Sequence, residues 1–352
     1  MKDKILTIDD IRNFCNELGL DHIGFMKCRI LSELQPYFEY RKAHSLENEF
    51  EESSIEKRIN PAHYMNDAKT IISIAFPYSF SEPNKNSSIV NNGFSLYTRG
   101  KDYHVVVKQY LEKIKEFLIE SGYKAMTFVD SNTLPERYIA HVCGIGFIGK
   151  NGLLITKKYG SYVFLGEILT DLELESSRDV NPENMLANIA QYVHCGTCEI
   201  CYNNCKTKAI RKSTSSTCSL THSNPNICTS YITQKKDLTD SEITLLHGKV
   251  FGCDDCQLQC PYNRTAKCKG LQAFSPLPEM NKTVNKYATM NNSFFKTNVK
   301  ISSAGWRGKN VIKRNALLKL VAEGTNFTQL KTDSPYLQSY IDRILTTLPN
   351  TQ

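Results

Sequence analysis

Three units follow one another in this 352-residue chain. The sequence predicts an α/β (or α+β) layer domain over 1–185, a small cysteine-rich domain over 186–270 and a small all-α part over 271–352. Three observations give that order. Helical and strand-like stretches alternate up to about 185, ten of the thirteen cysteines lie from Cys195 to Cys268, and the ordered patterns beyond 271 have only helical spacing. Length alone argues for more than one unit, because a single core stops growing at ~250–300 residues. Hydrophobic residues at 41% and charged residues at 22% are ordinary soluble usage and exclude disordered or fibrous chains.

The elements justify themselves in turn. Thr7 and Asp10 have the form of a capping box, opening a helix that runs to Leu18 and stops at Gly19. Glu47–Lys57, acidic and serine-containing, reads as an exposed loop. Thr70–Phe76 (TIISIAF) is a β-branched apolar run ended by Pro77, hence a buried strand. Ser79–Asn92 is a polar surface loop. Val107, Tyr110, Leu111, Ile114, Phe117 and Leu118 keep helical spacing up to Gly122. Ala125–Val129 is a second strand, ending at Asp130, and Tyr162–Leu165 a third. Val311–Ala322 and Tyr336–Leu348 read as helices, enough for one helical-repeat unit.

No run approaches the ~18 apolar residues of a membrane span. The opening MKDKILTIDD has neither an apolar core nor twin arginines, so the reading is a cytoplasmic protein without membrane contact. In a reducing compartment, cysteines in this number point to metal ligation rather than disulfides. Cys195-x2-Cys198-x2-Cys201-x3-Cys205 has the spacing of a bacterial-type iron–sulfur run, in which three thiolates converge on one cubane and the fourth serves another. Zinc sites usually present two separated CxxC pairs instead. The second run, Cys253-x2-Cys256-x3-Cys260 before Pro261, has Val250 where its first cysteine belongs. Exchanging the fourth cysteines gives Cys195, Cys198, Cys201 and Cys260 to one [4Fe–4S] cluster. The other takes Cys205, Cys253, Cys256 and one of Cys218, Cys228 or Cys268. Two clusters in a ferredoxin-type domain form a short electron wire. Cys15, Cys28 and Cys143, in apolar helical contexts, read as packed small hydrophobes.

The net charge of +7 is unevenly placed. From Pro261 to Arg314 eleven Lys or Arg face one acid, Glu279, so that segment carries +10 and the rest of the chain −3. Charge so concentrated suits a polyanion such as nucleic acid. Gly144-Ile-Gly146-Phe-Ile-Gly149 matches a dinucleotide fingerprint literally. A helical pattern precedes it and a β-like segment (Leu153–Ile155) follows, the reverse of what that fingerprint needs. Its glycines instead permit a tight turn where backbone approaches a cofactor. Asp130, at a strand end, is either a chemical group or the N-cap of the next helix. To donate a proton it must be desolvated and its pKa raised. His104 and His141 read as structural.

Several stretches together resemble the epoxyqueuosine reductase family, tRNA-modifying enzymes of queuosine synthesis. They are EKRINP around Arg58, RGKDYH (Arg99–His104), DSNTLPERYIAHVCGIGFIGKN (Asp130–Asn151), GSYVFLGEIL (Gly160–Leu169), both cysteine runs, CTSYIT from Cys228, and AGWRGKNVIKRNALL from Ala304. The resemblance implies a cobalamin-binding first domain, two [4Fe–4S] clusters and a HEAT-like C-terminal part. It selects Cys228 as the eighth thiolate and makes Asp130 the proton donor. It places Arg58, Thr98, Asn151 and Ile155, with Asp130, around cobalamin. It implies that cob(I)alamin, reduced through the clusters, acts on epoxyqueuosine at the wobble position of tRNA with a GUN anticodon. The basic segment, with Arg307, Lys309, Lys313 and Arg314, would bind that tRNA, and an external donor would supply electrons to a monomer. Lys206 stands in place of a proline and Tyr262 in place of a tryptophan. No D-x-H-x-x-G motif follows Asp102, so a cobalt without a protein histidine is expected. Two other readings are a reductive dehalogenase-like corrinoid and iron–sulfur reductase, and a non-enzymatic ferredoxin-type carrier with an RNA-binding tail.

Overall fold

The computed structural model describes residues 5–78, 90–130, 133–178, 181–182, 189, 192–211, 223–266, 270–325, 332 and 334–347. Strands β1 (Ile23–Lys27), β2 (Thr70–Pro77), β3 (Ala125–Phe128) and β6 (Val163–Thr170) form one sheet in the order β1-β2-β6-β3. Every neighbouring pair is antiparallel. All eight residues of β2 are buried, because both faces of the sheet are covered. Ile72, Ile74 and Phe76 face α1 (Ile8–Glu17) and α4 (Tyr103–Glu120), while Ile71 and Ala75 face α2 (Gln35–Ala43) and α5 (Glu136–Val142). This is a three-layer arrangement with a mixed α/β content and an antiparallel sheet. Thr7 does close a capping box with Asp10 at the start of α1.

Two differences from the sequence reading have simple causes. Lys57 is helical, not part of a loop: Ser54 caps α3 (Ile55–Ile59) by accepting from the Lys57 N–H. The strand β1 escaped notice because five residues containing a glycine and a lysine give too little periodicity. Gly24 within it is required: a Cβ there would lie 2.1 Å from the Cys143 carbonyl oxygen. Cys143 and Cys15 are buried in the two cores, and burial pushes the Cys15 thiol up to about 12.

Between Ile200 and Arg264 the described helices run three to six residues, and no helix of the described residues is long and apolar enough to cross a membrane. The C-terminal helices Lys309–Ala322 and Pro335–Thr347 complete a third core with Phe94, Val250 and Phe251. Val250, the residue in place of a ligand, is thus a fully buried core residue. Asn315 ties the layers together, its amide donating to the carbonyls of Thr233 and Val250 at 2.8 Å each. Asn92 and Arg99 fix segment 90–99 against this core through Met280 and Phe94 carbonyls.

Candidate functional site

Just past β3 the chain turns through Asp130, whose φ of 41° lies in the left-handed region. Aspartate tolerates this because its short side chain can bond locally. Its N–H donates to Glu136 Oε1 at 2.6 Å, so the first residue of α5 reaches back and holds the turn. Pro135, not Asp130, is the N-cap of α5, which corrects the helix-cap alternative. The Tyr103 hydroxyl donates to Asp130 Oδ2, and His104 Nε2 lies 3.4 Å from the same oxygen. Behind it, His104 Nδ1 meets Asp102 Oδ1 at 2.9 Å, Asp102 being the N-cap of α4. Asp102, His104 and Asp130 thus form a row, with the Asp130 side chain 54% exposed.

The electrostatics of this row reverse one expectation. Crowding by neighbours pushes the Asp130 carboxyl up, but the hydrogen bonds from His104 and Tyr103 outweigh it and hold the group below the ordinary carboxylate range. Desolvation also works against the His104 imidazolium, yet Asp102 and Asp130 raise its pKa to about 9. At neutral pH the row therefore holds an aspartate anion and a histidine cation. Sequence reasoning set His104 aside as structural. The available signal was local: Asp102, two residues earlier, can cap the helix and orient the ring at once. His141 is structural as expected, its Nδ1 against the Gly146 carbonyl at 2.7 Å.

The cysteines fall into two adjoining sets. Cys195 feels the charges of Cys260 and Cys198, and Cys201 those of Cys195 and Cys198. Cys228 feels Cys205, Cys253 feels Cys228, and Cys256 feels Cys253 and Cys228 and also Cys201 of the first set. Cys228 and Cys260 are N-caps of short helices, and Cys205 is a C-cap. Burial is the main influence on Cys195, Cys201, Cys228, Cys253 and Cys256, raising Cys201 to about 11 and Cys253 to about 12. Backbone N–H groups of Ser230 and Tyr231 oppose it at Cys228. Among the described residues no three side chains converge tightly enough for a single metal ion. Cys218 and Cys268 lie outside the described residues.

Tyr97 lies within electrostatic reach of both centres. It bonds the Ser230 side chain, and burial together with the charges of Asp254, Asp130 and Cys228 pushes its hydroxyl well up. The hairpin of β4 (Phe147–Ile148) and β5 (Leu154–Ile155) joins the first layer to the cysteines. Lys150 Nζ donates to the carbonyls of Gly196 and Cys198 at 2.7 and 2.9 Å. Phe147 packs on Tyr262, whose hydroxyl donates to the His194 carbonyl at 2.8 Å. Gly146 of the false fingerprint serves this hairpin: a Cβ there would come within 2.5 Å of the Ile155 carbonyl oxygen. Asn151 extends its amide toward the Cys256 carbonyl at 3.5 Å, and Ile155 is buried. Thr98 is fully buried, its hydroxyl donating to the Ser95 carbonyl at 2.7 Å. Arg58 sits apart on α3, bound to Glu51 at 3.1 Å and stacked 4.0 Å over Phe38.

Of the four basic residues assigned to nucleic acid, Arg314 is a correction. It is fully buried, donating to the Lys236 carbonyl at 2.5 Å and the Tyr336 hydroxyl at 2.8 Å. A charge count along the sequence cannot see that the helix Lys309–Ala322 is enclosed. Arg307 is half-buried, lying 4.7 Å over the exposed Trp306 ring. Lys309 bonds Asn292 at 2.6 Å, and Lys313 lies near enough that, after burial, the Lys309 charge lowers its pKa.

Residues 58–131 match the family model "Epoxyqueuosine reductase QueG, DUF1730", and residues 194–263 match "4Fe-4S double cluster binding domain". An epoxyqueuosine reductase of Listeria monocytogenes is 32% identical over 319 residues, spanning 89% of this chain and 79% of that protein. An epoxyqueuosine reductase crystallised with a tRNA-Tyr epoxyqueuosine-modified stem loop superposes with a TM-score of 0.82 at 28% identity, over 94% of this chain and 87% of that one. The Bacillus subtilis reductase, solved with its aspartate-bearing catalytic loop swung out of the active site, gives 0.80 at 27% identity, over 94% and 87%.

Proposed function

The chain belongs to the epoxyqueuosine reductase family and reduces epoxyqueuosine to queuosine, and from that premise we propose how its residues do so. The substrate is the modified nucleoside at the tRNA wobble position. Removing its epoxide oxygen as water consumes two electrons and two protons. The two sets, Cys195, Cys198, Cys201 with Cys260 and Cys205, Cys228, Cys253 with Cys256, hold the two [4Fe–4S] clusters. Asp130, Thr98, Asn151 and Ile155 would hold cobalamin, with Arg58 further out. When bound, the clusters would relay single electrons and cobalamin would supply a strong cobalt-centred nucleophile. The residues present suit it: Asn151 is an amide partner, and Ser95 Oγ is buried without one. Thr98 would serve through its backbone, since its hydroxyl is taken.

Asp130 delivers a proton to the departing oxygen. It rests as an anion, so it must first be loaded, and His104, cationic and steadied by Asp102, is the adjacent source. The observation that carries this reading is the Asp102, His104 and Asp130 row, and Tyr97 lies within electrostatic reach of both Asp130 and Cys228. The cysteine part is ferredoxin-type, the C-terminal helices a HEAT-like unit, and the whole a cytoplasmic monomer with an external electron donor. Asp130→Asn keeps the shape but not the transferable proton. It is expected to retain iron and tRNA binding while losing ~10²–10⁴ of the rate. Nucleoside mass spectrometry of stem-loop product, with a chemical reductant, measures it; near-normal turnover rejects the role.

A further inference from the structure

One buried carboxyl takes no part in that scheme. Glu167 lies mid-strand in β6, opposite Ser73 of β2 and Phe128 of β3, and is 0% exposed. Its side chain shares a sheet face with Leu165 and Leu169, which pack in the apolar layer that includes α5. Ser73 Oγ approaches Oε1 at 3.4 Å, and Oε2 has no hydrogen-bond partner as a bare acceptor. An ionised carboxylate left so in an apolar layer is strongly disfavoured, so the group keeps its proton. A protonated carboxyl becomes a donor, and the Glu136 carboxyl is within its hydrogen-bonding reach. Burial and the Glu136 charge both push Glu167 well above the ordinary carboxylate range. Asp130 and Cys143 also face it, and neither brings a positive charge. Two carboxyls in contact cannot both ionise, and one proton between them is the stable count. Glu136 Oε1 in turn accepts the Asp130 N–H at 2.6 Å, at a residue whose backbone is left-handed.

We infer that Glu136 and Glu167 are positioning residues: a proton shared between their carboxyls fixes Glu136, and Glu136 holds the backbone of Asp130 in its turn. The inference rests on the reading above for what Asp130 does, but not for the shared proton. Infrared spectra of the free protein at neutral pH test the proton directly. The wild type is expected to show a protonated-carboxyl stretch that shifts in heavy water and disappears in Glu167→Gln. Stem-loop turnover tests the positioning. Glu136→Ala should slow it ~10–10²-fold, with KM unchanged, because the donor is displaced rather than removed. Glu136→Gln, whose amide still accepts from Asp130 and still meets Glu167, should recover most of that loss. Absence of the band from the wild type overturns the proposal, as do equal rates for Glu136→Ala and Glu136→Gln. Full activity of Asp130→Asn would remove the donor reading while leaving the band in place, so the two claims fail separately.

Discussion

At the end of β3 the chain answers its own charges. The His104 cation sits between two carboxylates, and Tyr103 and Glu136 fasten the second of them by side chain and by backbone. The cysteine-rich part is made differently. Its described helices between Ile200 and Arg264 are too short to stand alone, and burial drives Cys201 and Cys253 toward the neutral thiol, Cys253 to about 12. A thiolate there needs iron to displace its proton, and in such sites metal binding is folding energy. One centre is organised before any cofactor arrives; the other is completed by its cofactor. Two centres of one enzyme thus differ in what holds them, and that difference can be measured.

The largest effect belongs to the dependent region. Cys228→Ser is expected to abolish turnover and leave about half of the roughly eight irons that two cubanes require. It should also expose segment 223–266 to proteolysis. Asp130→Asn, by contrast, keeps all its iron. Anaerobic iron and sulfide analysis of the two variants decides it, and full iron in Cys228→Ser would move the eighth ligand to Cys218 or Cys268.

How legible each region was follows from the same difference. Cluster ligands announce themselves by spacing, since short loops must bring thiolates together, and the Cys195 and Cys253 runs could be read without a fold. The β2 run and the α4 stripe were legible because burial on both sides leaves continuous or helical apolar patterns. The Asp130 row was only half legible. Asp130 and His104 lie 26 residues apart and meet only because α4 and β3 pack on one sheet. Glu167 carried an unused signal: a lone acid inside VFLGEILT is out of place in a buried strand unless something shares its proton.

The next effect tests whether the Asp130 row is self-supporting. The His104 pKa is about 9, so the ring is charged at neutral pH and loses its proton as pH rises through that value. The proton source is then gone, and turnover should fall above about pH 9. His104→Asn should lose that alkaline limb along with ~10²-fold of the rate. Proton NMR titration of His104 in iron-free protein should still give about 9. An ordinary value there would mean that this row also depends on its cofactors, and the contrast between the regions would collapse.

The smallest effect separates two kinds of positive charge. Arg314 has its guanidinium enclosed, with carbonyl, hydroxyl and amide oxygens of Lys236, Tyr336 and Asn315 as partners, so it cannot reach a phosphate. Lys309 and Lys313 sit nearer the surface, with room to rearrange toward one. Each phosphate contact releases counterions, and losing one lowers the slope of log affinity against log salt by ~0.9. Lys309→Ala and Lys313→Ala should therefore each weaken stem-loop binding a few-fold and flatten its salt dependence. Arg314→Met should leave the slope unchanged and instead lower stability by ~1–3 kcal/mol, because it orphans the oxygens that the guanidinium satisfies. Filter binding across a salt series and thermal unfolding give the two readings. A flattened slope in Arg314→Met would mean that the helix opens to admit RNA. The basic segment would then behave like the cysteine part, completed by what it binds.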